Sequence, residues 1–179
     1  MDTALSANGR GAPLRNRDGS TERRPAAGTR GRAAARIAAM GVLGGLGSAL
    51  ALAAVAVRRG GTAVQPMNAT SHWLHGPGAA RRGNADAGRT LTGYATHQAA
   101  SAFWASCFEL WLRRRRPRGA VLLGDAVAMA TVAAGVDYIL TPERFTPGWE
   151  LVLDPGEMAA GYLAMGLGMA AGAAVVPAR

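Results

Sequence analysis

The chain has 179 residues, 49% of them apolar and only 17% charged, with a formal net charge of +9. All 20 basic residues are arginine, alanine occurs 40 times, glycine 25 times and cysteine once. The length allows one domain, the single cysteine excludes a disulfide framework or cysteine-based zinc site, and aromatics at 6% are too few for a dense soluble core.

Residues 1–36 carry eight arginines, from Arg10 to Arg36, among Gly, Ala, Ser and Pro. No helical or strand period of large apolar side chains survives there, which predicts a disordered tail. Positive flanks orient a first membrane span, so the tail reads as an orientation signal rather than an arm for anionic lipid or nucleic acid.

Ile37 to Val57 follows without a single charge. A bilayer core takes about 20 residues of helix, whereas a signal peptide has an apolar region of about 7–15 residues and a shorter leader. The run therefore reads as a transmembrane span. Three more runs of bilayer length follow, Leu91 to Leu112, Ala120 to Leu140 and Met158 to Val176. The sequence thus predicts an all-α integral membrane four-helix bundle over residues 37–176, with spans at 37–57, 91–112, 120–140 and 158–176. Gly41/Gly45 and Gly168/Gly172 stand in G-x-x-x-G spacing, which is either a packing face or a consequence of glycine-rich composition.

Arginine placement predicts the orientation. With the amino terminus inside, fourteen arginines fall on the cytoplasmic side and six outside, so both termini are expected in the cytoplasm. Arg58-Arg59, directly after the first span, is the discordant pair.

In the loops, Thr141-Pro142 and Thr146-Pro147 read as starts of short helical turns. Asp154-Pro155-Gly156-Glu157 reads as a capping box that opens the last helix, which makes Asp154 and Glu157 structural. The stretches Asn68 to Gly76, Gly93 to Glu109, and Asp137-Tyr138 to Glu150 resemble a family of small, uncharacterised bacterial inner-membrane proteins with four transmembrane helices. The likeness spans residues 37–176 and excludes the tail. It implies a multi-pass inner-membrane protein and carries over no catalytic residue.

Four ionisable residues fall within the middle spans: His97 and Glu109 in the second, Asp125 and Asp137 in the third. Such groups cost about 2.5–3.5 kcal/mol at the bilayer centre, so they face protein or water. Folding the chain at Arg116 sets Glu109 opposite Asp125 and His97 opposite Asp137, each level to within about 3 Å. Glu109 also precedes Arg113 by four residues, the favourable order for an ion pair at a helix end, and Asp125 can reach the same arginine turn. His97 lies about 9 Å inside the outer end, on a face continued by Ser101, Trp104 and Phe108. A His97–Asp137 couple would serve either as a buried tie between helices or as a proton relay.

His72 and His75 lie three apart, as two imidazoles on one helix face would, and with His97 they make a weak set of metal ligands. The alternative is an amphipathic interface segment around Trp73. There is no Gly-x-Ser-x-Gly elbow, and a chain without lysine has no phosphate-binding G-x-x-x-x-G-K-[ST] loop. Cys107 reads as a small hydrophobe. The expected function is that of a non-enzymatic accessory or structural membrane component, with no cofactor and no nucleic-acid partner. Its partners are the lipid bilayer, a second copy or another membrane protein. A small transporter or proton- or ion-translocating protein using His97, Glu109, Asp125 and Asp137 is the alternative, and a membrane metal or redox protein the third.

Overall fold

The computed structural model describes residues 27–177, and over that range the chain is helical with no strand. The long helices are α1 (Ala27–Arg58), α4 (Thr92–Arg115), α5 (Gly119–Gly135) and α6 (Pro155–Val175). Two short helices, α2 (Gln65–Thr70) and α3 (His72–His75), lie between α1 and α4. A wider turn over Val136–Leu140 prolongs α5, and a similar one over Ala87–Leu91 leads into α4.

Local chemistry explains the boundaries. No proline interrupts Ala27–Arg58, and the helix stops where Gly60 takes a left-handed φ of 83°. Arg116 closes α4 in a left-handed conformation, and Pro117 prevents the helix from continuing. The capping box at the start of α6 is present, with the Asp154 amide donating to Glu157 Oε2 at 2.9 Å. The two Thr-Pro turns start slightly later than expected, at Glu143 and Trp149, with Pro142 and Gly148 in the capping positions.

The expected tail boundary needs correction. Helix α1 begins at Ala27, well before Ile37, so Arg30, Arg32 and Arg36 sit on a continuous helix, and Arg36 is buried. The rest of the expected disordered tail, residues 1–26, lies outside the described residues. Among the described residues, three helices are long and apolar enough to cross a membrane: Arg30–Arg58, Gly119–Leu140 and Pro155–Val175. Helix α4 has the length but falls short of that hydropathy.

Small residues decide which helices touch. Antiparallel α1 and α6 form the most extensive interface, and a Cβ on Gly168 or Gly172 would stand 2.3 Å from Leu43 O or 2.5 Å from Met40 N. Both belong to a G-x-x-x-G spacing, so that spacing is a packing face here. Gly41 and Gly45 turn to α4 instead, against Ala102 and Gln98. Helix α5 packs on α6, against Gly166, while α4 and α5 make little contact with each other. The fold therefore corrects the hairpin geometry: α4 and α5 are consecutive in sequence without being packed neighbours.

Candidate functional site

At the end of the bundle near the α4–α5 turn, arginines take up the buried carboxylates. Arg36 Nε donates to Glu109 Oε2 at 2.8 Å, with both side chains less than a tenth exposed. Its Nη1 donates to the carbonyls of Ala173, at 2.9 Å, and Val176. One guanidinium from α1 thus ties α4 to the end of α6. Arg113 approaches Glu109 at 3.6 Å, the expected i,i+4 partner in a secondary place. Asp125 accepts from Arg115 Nη1 at 2.8 Å. Glu109 and Asp125 are therefore held by separate arginines, and Arg36 is not among the expected partners because the sequence places it in the tail.

The opposite end is covered by the two loops. Asn68, fully buried, donates through Nδ2 to Arg82 O (2.8 Å) and Asn84 O (3.1 Å), and accepts from Thr90 Oγ1 at 2.7 Å. This single side chain gathers the first loop over α4. Gly148 has a φ of 79°, and a Cβ there would stand 2.5 Å from Ala69 O and 2.6 Å from His72 Nδ1. The second loop can press against α2 and α3 only because that position is glycine. Arg59, half of the discordant pair, joins the cap to α6 by donating to Asp154 Oδ2 at 2.7 Å and to Glu157. These hydrogen bonds and charges raise the Arg59 pKa above its ordinary value, the Glu157 bond first.

Beneath the cap lies a cavity of about 340 Å³. Its walls include His97 and Ser101 of α4, Asp137 of the wide turn after α5, Tyr162 of α6, and Thr70, Trp73 and Trp149 of the loops. Tyr162 Oη donates to Asp137 Oδ2 at 2.7 Å. His97 Nε2 donates to the Gly45 carbonyl of α1 at 3.0 Å. Trp149 lies between His97 and Tyr162, with ring centroids 5.7 and 5.2 Å away. Its Nε1 donates to Thr70 Oγ1 at 3.0 Å, and Trp73 Nε1 to Thr96 Oγ1 at 3.2 Å. His97 and Asp137 thus face one cavity without bonding to each other. The face expected to continue His97, through Ser101, Trp104 and Phe108, is buried along α4.

The three candidate metal ligands go to three different places. His72 is buried and turns its nitrogens to Ala69 O and Glu143 O, 3.1 Å each. His75 is exposed at the end of α3, and His97 is enclosed in the bundle. Among the described residues, no three His, Cys, Asp or Glu side chains converge as a metal group. Cys107 is half-buried and free. Comparison with protein-family models, curated proteins and solved structures gives no match.

Proposed function

We propose that this chain is a multi-pass component of a bacterial inner membrane, with four spanning helices, both termini cytoplasmic, and a non-enzymatic accessory or structural role. The division of α4 into two faces carries the reading. Every exposed residue from Ala95 to Trp111 is apolar, including Phe103 and Leu110, whereas His97, Ser101 and Glu109 are buried. A helix that turns its polar groups inward and shows only apolar side chains outward suits lipid. An average over all side chains misses this because it counts the hidden groups against the span.

Within the spans, ionisable groups join helices. Glu109 is held by Arg36 across α4 and α1, Asp125 by Arg115, and His97 by a carbonyl of α1. Such ties favour a structural element over a proton path, for which the same groups would have to follow one another across the bilayer. The arginine distribution supports the orientation, and pairing of Arg59 with Asp154 and Glu157 accounts for one of its two discordant arginines. The compartment rests on the sequence resemblance.

Reporters inserted near residues 84–86 and 116–118 test the α4 span, since they must lie on opposite sides of the membrane. Purification from native membranes in mild detergent tests the role, with a reproducible stoichiometric protein partner as the expected result. A solitary protein that carries protons into liposomes, and loses that flux as His97→Ala, would replace this reading with the ion-translocating one.

A further inference from the structure

The cavity beneath the cap has a composition that packing alone does not require. A chain poor in aromatics places three of its four tryptophans there (Trp73, Trp104 and Trp149), with Phe145 and Tyr162. Its volume of about 340 Å³ falls within the range of about 300–1,000 Å³ common for small-molecule sites. Ser101, only 1% exposed, is among its lining residues, and its buried Oγ has no hydrogen-bond partner among the described residues. A buried hydroxyl in that state is uncommon, because an unmade bond costs about 1–3 kcal/mol.

Among the described residues, Asp137 is the only carboxylate on the cavity wall. Unlike Glu109 and Asp125, which each meet an arginine, it is held, among the described residues, only by the Tyr162 hydroxyl. Two described charged side chains bond to residues of this wall. Glu150 accepts from Thr146, and exposed Arg144 donates to the Trp73 carbonyl at 3.4 Å. A carboxylate among aromatic rings, without a counter-charge, is complementary to a cation that brings its own apolar surface. Ring faces attract such a cation, more strongly once it leaves water.

We propose that this cavity binds a small organic ammonium ion, with its charge at Asp137 and its apolar body against the tryptophans. The site stands on the cavity's own geometry and does not depend on whether the protein has a structural partner. A neutral molecule of the same shape would gain the apolar contacts without the charge, and an anion would be repelled by Asp137.

Benzyltrimethylammonium, titrated into the full-length protein in detergent and followed by tryptophan fluorescence and calorimetry, tests the site. Its uncharged isostere neopentylbenzene separates charge from shape without any substitution. The expected result is binding of the cation at least about tenfold tighter than the isostere, a difference that cation–π and ion-pair contacts readily supply. Asp137→Asn keeps an acceptor for the Tyr162 hydroxyl and removes the charge, so the cation should fall to the affinity of the isostere while helicity is retained. Equal binding of cation and isostere by the unaltered protein would overturn the proposal, as would full affinity for the cation in a folded Asp137→Asn variant. Absence of cation binding at millimolar concentration by the folded, unaltered protein would overturn it as well.

Discussion

The two ends of the bundle treat the carboxylates of its long helices and their extensions in opposite ways. Near the α4–α5 turn, Glu109 and Asp125 are each met by a guanidinium at 2.8 Å, and that end is closed electrostatically. Under the loops, Asp137 receives a tyrosine hydroxyl and borders a cavity. The difference teaches that an arginine on one helix can tie it to another that carries a buried carboxylate, as Arg36 ties α1 to α4 and Arg115 ties α4 to α5. The same chain leaves a carboxylate without a counter-charge where walls of aromatic residues surround it.

The sharpest way to break this comparison is to remove Arg36. Arg36→Leu leaves Glu109 buried with only the more distant Arg113, and frees the carbonyls of Ala173 and Val176. Breaking a buried pair from one side costs about 3–5 kcal/mol, so unfolding in detergent should shift by an amount of that order. The double change Arg36→Leu with Glu109→Gln removes the stranded charge and should recover a large part of the loss. Equal instability of the single and double variants would deny that electrostatics closes this end.

Glycines extend the comparison to backbone contact, with a smaller expected effect. Near the arginine end, Gly172→Ala would force a methyl group to 2.5 Å from Met40 N. In the cap, Gly148→Ala would meet Ala69 O at 2.5 Å and would also occupy a left-handed φ of 79°. Overpacking costs about 1–3 kcal/mol, and the left-handed conformation adds about 1–2 kcal/mol. Thermal unfolding should therefore rank Gly148→Ala as the more damaging. Gly124→Ala supplies the opposite sign. Nothing lies within 4 Å of a Cβ there, and the residue is exposed on α5. Relief of glycine's backbone entropy should stabilise that variant by about 0.5–1 kcal/mol. A destabilised Gly124→Ala would show that α5 packs on something beyond the described contacts.

Much of this architecture was legible in the residues. Apolar runs located α1, α5 and α6, Asp154 to Glu157 announced the capping box, and the spacing from His97 to Phe108 gave the buried face of α4. Spatial order was not legible. Consecutive helices are expected to pack together, yet glycine faces on α1 and α6 bring those two together and leave α4 and α5 nearly apart. The partners of the carboxylates follow from that order, which is why Arg36 and Tyr162 escaped notice. Arg36 carried one usable signal: no helix breaker separates it from the first span, so a helix starting upstream would carry it into the bundle. Tyr162 carried none, because an isolated tyrosine in an alanine-rich run looks the same whether it meets lipid or a carboxylate.

The smallest effect expected concerns Asp86, on the same side of the bundle as Asp137. The capped end does not lack arginine. Arg89 donates its backbone amide to Asp86 Oδ1 at 2.7 Å and its guanidinium to Oδ2 at 2.9 Å, at the start of the wide turn that leads into α4. The amide bond first, and the guanidinium second, hold the Asp86 carboxyl below its ordinary value of 3.8. A depressed folded pKa gives stability that is complete above the unfolded value and is lost as pH falls through the folded one. Asp86 should therefore hold the turn unchanged down to about pH 4 and release it only under stronger acid. Carboxyl carbon shifts in an NMR titration would place its midpoint below 3.8, and Arg89→Ala should raise that midpoint only in part, because the backbone amide remains. A midpoint at or above 3.8 would mean that Arg89 does not hold Asp86 in solution.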